Sequence, residues 1–343
     1  MSAASSKRMP PGGRGAGGFA RLATRPLACL ALWIATISCP APALAIDKQD
    51  LTIDVAGVQR EYLLATPDNA AAGPRPLVLV LHGHLGTAAN ALGGGIRPSP
   101  LSAWSDIADR EHVLVAALQG LLGPDRHTGW HDCRLDAFEN PRSDDVAFAE
   151  RVVDRLVQAQ RADPHRIYVM GMSNGAIMSL RLAQEMHPAP AAVAAVSGSM
   201  AANSSCKGTP RRVSVLLIGG TADPIVPFGG GTVTLGRRKS GAVSGVAASR
   251  DFWLHADGLD PAAARTTTLP HHAAADPTHA TRVLYGTSPG PQVEVLTIEG
   301  GGHVEPSLRF HYGWFYSKIV GNQNQDVESA EEAWSFFKEK TAP

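Results

Sequence analysis

Gly171-Met172-Ser173-Asn174-Gly175 is the stretch on which the reading of this chain turns. It has the form G-x-S-x-G. The residues before it, His165-Arg166-Ile167-Tyr168-Val169-Met170, form a short β-branched and apolar run. Those after it, Ala176-Ile177-Met178-Ser179-Leu180-Arg181-Leu182-Ala183, have helical spacing. A serine hydroxyl is a weak nucleophile at neutral pH, and it needs an adjacent base and donors for the oxyanion it creates. A sharp strand-to-helix turn exposes the serine, and small residues two positions either side let the backbone pass. The chain holds 35 glycines, so the pentapeptide alone carries little weight. The strand before it and the helix after it make the case for Ser173.

Outward from this turn, apolar runs recur with helical patterns between them. Pro76–Leu81, Val113–Leu118, Ile167–Met170, Ala192–Val196, Val213–Ile218 and Val293–Ile298 are mostly continuous rather than alternating, as expected of strands covered on both faces. Leu51–Val55 and Arg60–Leu64 flank Gly57 and predict an N-terminal hairpin. Ser143-Asp144-Asp145 opens a predicted helix, with Ala149, Val152, Val153 and Leu156 on one face. The helix after Ser173 is expected to end near His187-Pro188, and Ala330, Ala333, Trp334 and Phe337 share the face of a last helix. Strands alternating with helices imply an α/β fold of three layers around a mainly parallel central sheet. Between Phe228 and Gln292 only Val246–His255 reads as helix, and the rest is expected to be an irregular lid or surface insertion.

A nucleophile at such a turn needs a base and an orienting carboxylate, which in this kind of fold follow it in the chain order Ser, Asp or Glu, His. The run Val213–Ile218 leads into Gly219-Gly220-Thr221-Ala222-Asp223-Pro224, placing Asp223 just past a buried strand. Asp-Pro is also a turn signal, so Asp223 has a purely structural reading as well. The last run, Val293–Ile298, ends in Glu299-Gly300-Gly301-Gly302-His303, which presents His303. Backbone N–H groups of Asn174 and of His84, in the loop His82-Gly83-His84-Leu85-Gly86, are the candidate oxyanion donors. His82 is read as a brace for that loop. His82-x-His84 and His127-x-x-x-His131 resemble metal pairs, but no carboxylate or cysteine set completes either at ligand spacing. No metal and no cofactor are therefore expected in the chemistry.

The chain has 343 residues, equal numbers of basic and acidic side chains (31 each), and 44% apolar residues. With no basic stripe beyond the N-terminal region, nucleic-acid binding has little support. Lys7, Arg8, Arg14, Arg21 and Arg25 precede an apolar run, Leu27–Ser38, and Ala43-Leu44-Ala45 fits a signal-peptidase site. Residues 1–45 are read as an export signal and residues 46–343 as one catalytic domain, secreted or periplasmic, with no stable membrane insertion after cleavage. A lipoprotein signal at Cys39 is a weaker alternative, because Thr36 stands where leucine is expected. Cys133 and Cys206 are then the only two cysteines of the mature chain, and an even pair in an exported protein suggests one disulfide.

Several runs together resemble the secreted polyhydroxybutyrate depolymerase and feruloyl esterase group of α/β-hydrolases. They are Leu81-His82-Gly83, Gly129-Trp130-His131-Asp132-Cys133, Asp144-Asp145-Val146-Ala147-Phe148, Gly171-Met172-Ser173-Asn174-Gly175-Ala176, Gly220 to Pro227, and Gly301-Gly302-His303. They occur in the group's order between about Leu51 and Lys338. The resemblance implies the α/β-hydrolase fold, with Ser173 as nucleophile, Asp223 as orienter and His303 as base. It also implies that Trp130 lies near the acyl pocket, where it is a candidate substrate contact with core packing as the alternative, and that Cys133 joins a bridge close by. The group often carries Trp-Pro-Gly soon after the histidine, whereas Val304-Glu305-Pro306-Ser307 follows here, so part of an aromatic wall is missing. The expected activity is hydrolysis of carboxylic esters, small or polymeric, through an acyl-enzyme. A serine peptidase or amidase, and a non-catalytic binding module on the same scaffold, are the alternatives.

Overall fold

The computed structural model describes residues 46–67, 73–94, 99–159 and 161–342, all within one compact unit, Leu44–Pro343. The predicted export signal lies outside the described residues. The chain opens with β1 (Asp47–Val55) and β2 (Val58–Thr66), paired antiparallel across a turn in which Ala56 and Gly57 both have positive φ. Two central residues with positive φ give the mirror-image turn whose twist suits a two-residue hairpin. Then follow β3 (Arg75–Leu81), the short α1 (Ala88–Ala91), α2 (Ala103–Glu111), β4 (Leu114–Leu118), and the small hairpin β5 (Leu121–Leu122) with β6 (Thr128–Gly129). Next come α3 (Asp145–Gln158), β7 (Ala162–Met172), α4 (Asn174–Glu185), β8 (Ala192–Val196) and β9 (Ser214–Gly220). The C-terminal part adds a hairpin, β10 (Gly231–Leu235) with β11 (Arg238–Val243), then α5 (Val246–Asp257), β12 (Arg265–Thr268), β13 (His279–Tyr285) and β14 (Val293–Glu299). It closes with α6 (Trp314–Val320) and α7 (Ser329–Phe337).

Ten strands form one sheet in the order β1-β2-β4-β3-β7-β8-β9-β14-β13-β12. The six from β4 to β14 run parallel, and both edges are antiparallel. The parallel strands are buried on both faces, which is why they read as unbroken apolar runs. One face packs Phe148 and Val152 of α3, Met178 and Leu182 of α4, and Trp253 of α5. The other packs Trp104 and Ile107 of α2 and Ala330, Ala333 and Phe337 of α7. The result is the three-layer α/β-hydrolase architecture with its N-terminal hairpin.

The segment from Phe228 to Gln292 differs from the sequence expectation of an irregular lid. It supplies β12 and β13, which extend the main sheet beyond β14, and α5, which is seated in the core through Trp253 and Leu254. Edge strands face water on at least one side, so β12 reads Arg-Thr-Thr-Thr with every residue exposed and shows no apolar run. Charged and hydroxylated side chains on such an edge also discourage pairing with another chain.

Candidate active site

The parallel strands all end at one rim, and the loops leaving β3, β7, β9 and β14 meet there. Ser173 follows β7 directly and begins α4 with φ 55° and ψ −119°. A non-glycine residue held in so sparsely populated a conformation is strained, and the surrounding backbone keeps it there. The neighbouring glycines are required by space. A methyl group on Gly175 would sit 2.5 Å from the carbonyl oxygens of Leu81 and His82, and one on Gly171 would sit 2.2 Å from the Gly175 oxygen.

His303 Nε2 lies 2.8 Å from Ser173 Oγ, and His303 Nδ1 lies 2.8 Å from Asp223 Oδ2. Asp223 Oδ1 accepts hydrogen bonds from the Ile225 and Val226 amides, both at 2.8 Å. One oxygen organises the turn and the other faces the imidazole, so the turn fixes where the carboxylate points. The His303 and Asp223 side chains are almost fully buried, at 7% and 2% exposure.

The loop after β3 packs against the serine. A methyl on Gly83 would stand 3.4 Å from Ser173 Cβ and from the Met172 oxygen. His82 is buried, and its Nε2 accepts from the Gly120 amide at 3.0 Å, which leaves Nδ1 to donate to the Gly83 oxygen at 2.7 Å. Burial, opposed by the bond to Gly83 and aided by the nearby His84, lowers the His82 pKa from 6.5 to about 4. The unfolded chain therefore binds more protons than the folded one between those values. Stability is intact above about pH 6.5 and declines as the pH falls to about 4. For this residue the full loss is about 3 kcal/mol. The drop in urea midpoint between these pH values should accordingly be smaller in His82→Gln than in the wild type, and an equal drop would remove His82 as the cause.

Asn174 begins α4, and its backbone N–H belongs to the first helical turn, where no partner within the helix exists. Its side chain accepts from the Trp130 amide at 2.7 Å and donates to the Trp130 oxygen at 3.1 Å and to Asp132 Oδ2 at 2.7 Å. Trp130 is fully buried, and its Nε1 donates to the His82 oxygen at 2.7 Å. Trp130 stands behind the loop, fastening it to Asn174, and is not among the residues that line the cavity described below. Its indole needs a buried acceptor, and the His82 carbonyl supplies one. Asp132 in turn pairs with Arg134, which also reaches Glu139, all three buried. Cys133, within this segment, is joined to Cys206 by a disulfide with 5.6 Å between the Cα atoms. Asp145, read from sequence as a helix-opening acid, spends its carboxylate on Arg60 at 2.8 Å and on the His131 amide at 2.7 Å.

Ser173 and His303 open into a cavity of about 390 Å³ with apolar walls that include Leu101, Met172, Ile225 and Leu235. The sequence reading missed its far side, formed by Glu305, Tyr312 and Tyr316. Glu305 occupies the segment where the aromatic wall was expected to be missing, so the departure noted there was the available signal. Its carboxyl is buried, accepts from the Tyr312 hydroxyl at 3.2 Å, and has its pKa raised by desolvation. Tyr316 and Ile319 come from α6, whose Trp314 and Phe315 are exposed. The expectation that no carboxylate accompanies the loop histidines also changes. Asp125 Oδ2 lies 2.9 Å from His84 Nε2 and 3.3 Å from His127 Nδ1.

Comparison with known proteins agrees with this architecture. The family model described as phospholipase/carboxylesterase matches residues 72–237. "Putative esterase NocK" of Nocardia uniformis subsp. tsuyamanensis is 32% identical over 292 residues, covering 82% of this chain and 80% of that one. "Feruloyl esterase C" of Emericella nidulans is 28% identical over 179 residues, covering 51% of this chain and 59% of that protein. Among solved structures, the acetyl xylan esterase from Aspergillus awamori superposes with a TM-score of 0.53 at 15% identity. That match covers 85% of this chain and 99% of that one, a likeness of fold.

Proposed function

Since the chain belongs to the esterases of the α/β-hydrolase superfamily, we propose that it is a secreted serine esterase that cleaves carboxylic esters through an acyl-enzyme. The observation that carries this reading is the pair of 2.8 Å contacts from Ser173 to His303 and from His303 to Asp223, beside the cavity. His303 Nε2 takes the hydroxyl proton as Ser173 Oγ attacks the ester carbonyl. Asp223 holds the imidazole in the tautomer that can accept and stabilises the imidazolium formed. The backbone N–H groups of Asn174 and His84 receive the oxyanion. His303 then protonates the departing alcohol, and water repeats the sequence to free the acid.

A cavity of about 390 Å³ suits a short acyl chain or a single aromatic ring. Polyhydroxyalkanoate- and feruloyl-type esters are the substrate classes we favour. The exposed Trp314 and Phe315 of α6, the helix that also supplies Tyr316 and Ile319 to the cavity, suit a poorly soluble ester. The Cys133–Cys206 disulfide and the leader-like residues 1–45 support export to an oxidising compartment.

Purified protein should take one fluorophosphonate label. It should hydrolyse members of a panel of short p-nitrophenyl esters, methyl ferulate and polyhydroxybutyrate film, while leaving p-nitroanilides intact. Label without ester turnover would sink the esterase reading, and preferred anilide cleavage would make the protein an amidase.

A further inference from the structure

Among the described residues, three groups of side chains bring their ligand-type atoms within 4.8 Å of one another: His131 with Cys133 and Cys206, His271 with His279 and Asp326, and His84 with Asp125 and His127. They are not equivalent. In the first, both sulfurs are consumed by the disulfide, so no thiolate is available. In the second, the Asp326 carboxylate is already engaged, accepting from the His272 amide at 2.8 Å and from Asn324 Nδ2 at 3.0 Å as well as facing His271. In the third, Asp125 Oδ1 accepts from the His127 amide at 3.0 Å, while Oδ2 meets only the two imidazoles, at 2.9 and 3.3 Å.

We propose that His84 Nε2, the Asp125 carboxylate and His127 Nδ1 form a binding site for one divalent ion of zinc type. Two imidazoles and a carboxylate are a common donor set for such an ion, and three protein ligands leave the fourth tetrahedral position to water. Tetrahedral donors about 2.0–2.2 Å from one ion stand about 3.3–3.6 Å apart, so the 3.3 Å pair already fits and the 2.9 Å pair opens by about half an ångström to admit the ion. Entry is from the His127 side, whose ring is 54% exposed against 11% for His84.

The ion would tie together two segments of the site. His84 belongs to the loop after β3, and Asp125 and His127 belong to the turn between β5 and β6. These segments already touch through the Leu85 amide on the Thr128 oxygen at 3.0 Å and Thr128 Oγ1 on the Gly86 oxygen at 2.6 Å. A bound ion closes the open end of that contact. It is a positioning element that acts through His84 and takes no part in the chemistry at Ser173.

The test is calorimetric titration of the chelator-treated, full-length protein with Zn²⁺, alongside His127→Ala, Asp125→Asn and His271→Ala. Wild type and His271→Ala should each bind one equivalent in the micromolar range, and the melting temperature should rise on binding. His127→Ala and Asp125→Asn should bind at least about tenfold more weakly. Because the His127 ring is largely solvent-facing, His127→Ala should fold even if Asp125→Asn does not. Absence of binding to the wild type, unchanged binding in His127→Ala, or loss of the equivalent in His271→Ala would each overturn the proposal. None of these readouts depends on ester turnover.

Discussion

Ser173→Ala is expected to lower kcat on a short p-nitrophenyl ester by about 10⁴-fold or more and to abolish fluorophosphonate labelling. Among the described residues, the Ser173 hydroxyl is the group that both faces the cavity and meets the His303 imidazole, at 2.8 Å. Without it no acyl-enzyme forms, and the remaining backbone donors can only polarise a carbonyl that nothing attacks. The fold should persist. The strained φ of 55° is held by the backbone around it, including the Ser173 amide on the Val196 oxygen at 2.8 Å, and alanine leaves that bond in place. The lost hydroxyl contact costs on the order of 1 kcal/mol, so the melting temperature should shift little. A variant that keeps a tenth of the wild-type rate with normal melting would move the nucleophile elsewhere.

Asp223→Asn should lower kcat by about three to four orders of magnitude at neutral pH while changing KM little. Asparagine retains an oxygen for the Ile225 and Val226 amides, so the turn survives. It presents an N–H to His303 Nδ1, however, and that forces the imidazole proton onto Nε2, where it can no longer accept from Ser173. Two other aspartates serve as controls. Asp260 caps a single helical turn by accepting from the Ala262 amide at 2.9 Å. Asp257 ends α5, accepts from the Val213 amide at 3.1 Å, and has its pKa raised by burial to about 7. Both should stay near wild-type turnover as asparagines. Asp257→Asn should in addition melt higher than wild type at alkaline pH, because the folded protein resists ionising the buried carboxyl and stability falls as the pH rises through about 7. Collapse of activity in Asp257→Asn or Asp260→Asn, with Asp223→Asn retaining more than about a tenth, would reassign the acid.

How much of this was legible in sequence follows from burial and distance along the chain. Strands covered on both faces must be apolar throughout, and β8 was predicted to the residue, Ala192–Val196. Ser173, Asp223 and His303 each stand one loop beyond such a strand, so their convergence follows once the strands are read as parallel neighbours. The edge strand β12 and its neighbour β13 escaped because solvent on one face permits threonine and arginine, which resemble a loop. Trp130 was placed in the acyl pocket by resemblance. Its true position depends on a carbonyl at His82 and an amide at Asn174, 48 and 44 residues away. The meeting of His84 with Asp125 was hidden for the same reason: ligand spacing was sought within short segments, and these residues are joined by the return of the chain through β5 and β6.

The bridge from Cys133 to Cys206 makes residues 133–206 a closed ring, and Ser173 lies inside it. Residues 202–205 of that ring are exposed, with their backbone bonded to Ala242, Leu135 and Cys133. A single cut there opens the ring but does not divide the molecule: the two pieces remain joined by sulfur. The serine on the first piece and the aspartate and histidine on the second cannot drift apart. A nicked chain therefore migrates as one species until it is reduced, and it can go on working while carrying a wound that would release half of an unbridged protein.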